Sequence, residues 1–180
     1  MRTNGSPRGS PRIRLLSSFA MLALVIGGVS FYSIRKTREL FDIGVNAHVK
    51  CAIAGGSPNQ TQGLGTQFAP MLQAVLDAAG TDYAAVSAHR CNVDDRAYTH
   101  IILRHGPTLV SVILTRRGDQ EVFPRTLAGP LHEGKRDGYS VVAFQSGVYL
   151  AYIVSALPGR QNGELAARVA PVIDRYSDTP

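Results

Sequence analysis

The pattern of apolar and polar positions changes character several times along the chain. Residues 15–34 (LLSSFAMLALVIGGVSFYSI) run for 20 positions without a charge and stop abruptly at Arg35-Lys36-Thr37-Arg38. At about 1.5 Å of rise per residue, a helix of that length covers the ~30 Å hydrocarbon layer. The pattern predicts a transmembrane anchor over 15–34, which residues 35–46 can extend by a turn or two. The alternative is a cleaved signal peptide with Gly28 and Ser30 at its −3 and −1 positions. Residues 54–65, dense in Gly, Pro, Asn and Gln, read as a loop. Over 66–79, Phe68, Met71, Leu72, Val75 and Leu76 share one helical stripe, and Gly80 suits the position after the helix end.

Beyond Gly80 the period shortens. Residues 83–91, 97–105 and 108–115 are rich in Val, Ile, Tyr and Thr, with Asn92-Val93-Asp94-Asp95 and Gly106-Pro107 as turns between them. Residues 116–137 read as a charged loop. Two more strands, 139–145 and 148–155, flank Ser146-Gly147. A last helix spans 164–176, with Leu165, Val169, Val172 and Ile173 on one stripe and Pro171 expected to kink or shorten it. Short turns imply antiparallel neighbours. The expected fold is therefore α+β: an N-terminal transmembrane helix, then a five-stranded, mainly antiparallel sheet with two helices packed on one face. The organisation reads as a basic tail (1–14), an anchor or signal peptide (15–34) and an extracytoplasmic domain (35–180).

Charge sharpens this division. The 180 residues carry a formal +6, but Arg2, Arg8, Arg12 and Arg14 stand in the first 34 positions without an acid, leaving the rest at only +2. A nucleic-acid-binding body gains no support from so weak an excess. Basic residues on both sides of the uncharged run give a slight lean to a single-pass inner-membrane protein with its body in the periplasm or extracytoplasmic space. The expected partners are the membrane and another membrane or periplasmic protein.

Candidate chemistry is confined to few residues. His48 and Cys51 form H-x-x-C, and His89 and Cys91 form H-x-C. Positions 89 and 91 leave the same face of a strand, and the segment before the sheet can bring His48 and Cys51 over that face. Two thiolates and two imidazoles are a tetrahedral donor set suited to zinc or to copper(I). In an exported domain the two cysteines equally suit a disulfide, either as a plain staple or as a redox-active pair, and buried free thiols remain a third alternative. His100 and His105 sit at odd separation on one strand, so they face opposite ways; His100 reads as a satisfied, half-buried residue and His132 as an exposed loop residue. Asp94-Asp95 reads as a hairpin tip, and Asn59-Gln60-Thr61 matches a glycosylation sequon. The signatures G-x-S-x-G, H-E-x-x-H, G-x-x-x-x-G-K-[ST] and G-x-G-x-x-G are all absent, so no enzyme is expected.

The stretches Ala88-His89-Arg90-Cys91, residues 96–103, residues 109–115, residues 138–144 and residues 149–157, which end in Val154-Ser155-Ala156-Leu157, resemble the extracytoplasmic portion of bacterial single-pass anti-sigma-factor-like membrane proteins, including uncharacterised relatives. The resemblance covers roughly residues 45–175. It implies a membrane-tethered sensory or binding domain in which an H-x-x-C element, matching His48 and Cys51, follows the span. Two features depart from the family. Only 14 residues precede the span, none of them His or Cys, where the family carries a zinc-binding sigma-interaction domain. Ala156 stands where the relatives tend to have Asp. A metal-handling or thiol-redox protein, and a structural interaction module with a plain disulfide, are the alternative readings.

Overall fold

The computed structural model describes residues 11–54, 61–62, 69–124 and 129–177, without the side chains of 11–20, 22, 23, 26, 61, 62 and 69. The chain divides into two compact units with the boundary after Lys36. The elements are α1 (Pro11–Ala47), a π-helical turn (His48–Ile53), β1 (Thr61–Gln62), α2 (Ala69–Ala79), β2 (Ala84–Val93), β3 (Arg96–His105), β4 (Thr108–Arg116), β5 (His132–Arg136), β6 (Tyr139–Ser146), β7 (Tyr149–Ser155) and α3 (Gly159–Ser177).

In the first unit α1 leaves Met21, Leu24, Val25, Val29, Phe31, Tyr32 and Ile34 each more than half exposed. No helix among the described residues is long and apolar enough to cross a membrane. The run 15–34 expected to do so includes nine residues whose side chains lie outside the described set.

In the second unit the α+β class is observed, but the strand count is corrected from five to seven. One sheet has the order β1-β2-β3-β4-β7-β6-β5, with every neighbouring pair antiparallel. β1 is a two-residue edge strand inside the expected 54–65 loop. β5 lies inside the expected 116–137 loop. Its sequence HEGKR lacks β-branched and aromatic residues, and its inward positions are His132 and Gly134, so no apolar alternation advertises it.

Helices cover both faces of the sheet, not one. On the first face α2 and α3 bury Met71, Val75, Leu165, Val169 and Ile173 against Ile101, Leu103, Val112, Phe144 and Ile153. On the second face the end of α1 and the π-helical turn lay Leu40, Phe41, Val45 and Cys51 against Tyr98, Ile113, Tyr152 and Val154. Two glycines permit that close approach. A Cβ on Gly44 would lie 2.6 Å from Tyr152 Cδ1, and one on Gly134 would lie 2.5 Å from Phe41 Cε2. Residues 40–46, expected only to extend the N-terminal helix, thus roof one side of the sheet.

α3 starts at Gly159 and continues through Pro171 to Ser177, longer than expected. Pro171 and Ala167, whose carbonyl loses its bond, are both exposed, so water can solvate the freed group. A buried relay docks the start of α3: Ser155 Oγ donates to Asn162 Oδ1 at 2.7 Å, and Asn162 Nδ2 donates to the Ser140 carbonyl at 2.8 Å.

Candidate metal and disulfide centre

Local geometry delivers the two cysteines from opposite sides of the second-face core. At the end of α1 the backbone widens into a π turn, closed by Ala54 N–H donating to the Val49 carbonyl at 2.9 Å. Such turns are frequent at functional sites because the extra residue redirects side chains. This one buries both His48 and Cys51 against the sheet. Below it, β2 and β3 are joined by a two-residue turn in which Asp94 and Asp95 both adopt positive φ (50° and 62°), the conformation of a type I′ hairpin. Asp94 fastens this tip to the helix above, accepting from Asn46 Nδ2 at 2.7 Å and from Lys50 Nζ at 2.8 Å. The paired aspartates are a hairpin tip, as expected.

Cys51 and Cys91 are joined in a disulfide, with Cα atoms 6.9 Å apart across 40 sequence positions. Both are almost wholly buried. Two imidazoles accompany the pair, and one of them corrects the sequence-based ligand set. Cys51, His89, Cys91 and His100 place one donor atom each within 4.8 Å of one another, all buried. With its cysteines reduced, this buried His/Cys group could hold a metal ion. His48 is not among its members: its Nδ1 lies 2.7 Å from Ser111 Oγ, and its ring meets Tyr139 edge-on at 4.8 Å.

His100 enters through strand register. A two-residue turn at Asp94-Asp95 pairs Val93 with Arg96 and therefore Cys91 with Tyr98 and His89 with His100. Cys91, Tyr98, His89 and His100 share one face, and the His89 and His100 ring centroids lie 5.3 Å apart. The turn fixes that cross-strand register, whereas the odd spacing between His100 and His105 speaks only of β3. The expectation of a satisfied, half-buried His100 is overturned. It is completely buried, and neither its ring nitrogens nor those of His89 have a hydrogen-bond partner. His105 does face the other way, donating from Nδ1 to the Asp82 carbonyl at 3.1 Å. His132 is not exposed; it is buried on β5 and stacked on Phe123 at 4.5 Å.

Burial sets the protonation state of this cluster. Desolvation lowers the His48 pKa to about 4 and lowers that of His89. His100 is held well below its ordinary value, first by burial and then by repulsion from protonated His89 and His48. The rings are therefore neutral near pH 7, the form that ligates metals. Across the hairpin from Cys91, burial pushes Tyr98 up to about 12.

A cleft of about 560 Å³ opens beside the centre, lined in part by Asp42, Asn46, Val93, Asp94, Tyr98 and Arg136. Tyr98 is the cross-strand partner of Cys91, and Val93 is its neighbour on the same face, so the cleft reaches to within one residue of the sulfur pair. Arg136 also pairs with Asp42, tying the β5–β6 hairpin to α1.

Asn59 and Gln60 of the sequon lie outside the described residues. Comparison with known proteins finds no matching family model and no significantly similar curated protein.

Proposed function

We propose that this chain is a membrane-tethered extracytoplasmic binding or sensory domain of the anti-sigma-factor-like type, with the Cys51–Cys91 pair and its histidines as the responsive centre. The disulfide is the observation that carries this reading. Such bonds persist in oxidising compartments outside the cytoplasm, and this one clamps the π-helical turn after α1 to strand β2. The uncharged run 15–34, flanked by arginines, supports anchoring in the inner membrane with the body outside. A second membrane or periplasmic protein would read the state of the domain. The role is binding, not catalysis.

A second reading, a metal-handling protein, is favoured by the unpartnered nitrogens of His89 and His100. A plain staple has no use for two buried imidazoles whose donors and acceptors go unmet, each such group costing about 1–3 kcal/mol. Zinc and copper(I) are the ions this donor set suits.

Topology and thiol state test the proposal together. An alkaline phosphatase fusion after Pro180 should be active, and the isolated full-length protein should show no reactive thiol until it is denatured and reduced. Activity of a cytoplasmic reporter alone, or two free thiols in freshly isolated protein, would overturn it.

A further inference from the structure

The buried pair of unpartnered histidines beside a disulfide points to a second state of the same centre. We propose that the reduced protein holds one zinc-class divalent ion through Cys51 Sγ, Cys91 Sγ, His89 and His100, so that disulfide and metal are mutually exclusive occupants of one site. The assignment rests on reading this cluster as the domain's responsive centre, and it names the ligand.

Geometry supports four ligands. The donor atoms already lie within 4.8 Å of one another. Tetrahedral zinc, with bonds of about 2.3 Å to sulfur and about 2.0–2.1 Å to nitrogen, needs sulfurs about 3.8 Å apart and nitrogens about 3.4 Å apart. Opening the disulfide from its usual ~2.05 Å separation therefore takes a movement of about 1.7 Å between the sulfurs. The π-helical turn that carries Cys51 is an element distinct from the hairpin that carries His89, Cys91 and His100, so the two sides can separate without breaking the β2–β3 ladder.

Charge selects the ion. Two thiolates and two neutral imidazoles sum to −2, which a divalent ion cancels and copper(I) leaves at −1. All four residues are at most 3% exposed, and a net charge buried that deeply is costly. Soft sulfur donors in a closed tetrahedral set favour zinc over magnesium or calcium. An ion there would also satisfy one nitrogen on each histidine, both of which are orphaned in the disulfide state.

Switching between the states needs an oxidant, for which a low-molecular-weight disulfide suffices. The two thiolates each lose one electron as the Cys51–Cys91 bond forms. The oxidant's S–S bond breaks as it takes both electrons, two protons from solvent complete its two thiols, and the divalent ion leaves unchanged in oxidation state.

Cobalt(II), a spectroscopic stand-in for zinc, tests this on full-length protein in detergent. The protein is first reduced with a phosphine until two thiols per chain are counted. Reduced protein should bind one cobalt ion per chain with sulfur-to-cobalt charge-transfer and tetrahedral ligand-field bands, and zinc should displace it. The oxidised protein should show neither signal. His100→Leu should weaken binding by at least about tenfold, whereas His48→Asn should leave it unchanged. Absence of sulfur-to-cobalt bands in the reduced protein, equal binding by oxidised protein, tight binding of copper(I) without zinc, or an equal loss in His48→Asn would each overturn the assignment. The fusion and thiol count on isolated protein report separately on the extracytoplasmic reading, so either can fail while the other stands.

Discussion

Replacing His100 by leucine should stabilise the oxidised protein while removing its metal-binding capacity. The ring is wholly buried, and both of its nitrogens lack partners. A neutral imidazole carries one donor and one acceptor, and leaving each unmet costs about 1–3 kcal/mol. His100→Leu removes both and keeps the side-chain volume similar, so the opposing packing change should stay under about 1.5 kcal/mol. The net expectation is a gain of roughly 0.5–6 kcal/mol, or a rise in thermal midpoint of roughly 2–20 °C for a domain of this size. Denaturant titration of oxidised, chelator-treated full-length protein at pH 7.5, followed by circular dichroism, measures it. A loss of more than about 1 kcal/mol would refute the reasoning, because it would mean that the imidazole is held by interactions worth more than its desolvation. Stability gained where binding is lost is the expected signature of a residue kept for function.

Other perturbations probe the supporting structure. The double change Cys51→Ala with Cys91→Ala releases a 40-position loop and should lower the unfolding free energy by about 4 kcal/mol on the chain-entropy estimate; a loss below about 1 kcal/mol would show that the bond constrains little. Gly44→Ala places a methyl 2.6 Å from the Tyr152 ring, and the resulting overpacking should cost about 1–3 kcal/mol, whereas an unchanged denaturation midpoint would mean that α1 does not pack this closely. His48, with its pKa lowered to about 4 by burial, is protonated more readily in the unfolded chain, whose value is about 6.5. Its contribution is therefore intact above pH 6.5 and is lost as the pH falls toward 4, by up to about 3 kcal/mol. His48→Asn should flatten the slope of stability against pH across that window, and an unchanged slope would contradict the burial of a neutral ring.

How much of this was legible in the sequence depended on whether a feature is written in apolar spacing. The helix containing Met71, Val75 and Ala79 follows from its apolar stripe, and the strands from Ala84 to Arg116 follow from runs of β-branched and aromatic residues broken by turn residues. β5 was hidden because its inward residues are a stacked histidine and a glycine that makes room for Phe41. The covering of the second face by α1 was hidden for a related reason: Gly44 and Gly134 create the contact by lacking a side chain, which no hydrophobic pattern registers. The pairing of Cys51 with Cys91 was among the alternatives that a count of two cysteines allows. The exchange of His48 for His100 was not, since it depends on a π turn aiming His48 at Ser111 and on cross-strand register placing His100 opposite His89.

X-ray absorption at the zinc edge on reduced, zinc-loaded full-length protein measures most directly whether Cys51, Cys91, His89 and His100 form one centre. The expected shell is two sulfurs at about 2.3 Å and two imidazole nitrogens at about 2.0–2.1 Å, with one nitrogen lost in His100→Leu. A shell of nitrogen and oxygen alone, or one containing a single sulfur, would contradict it.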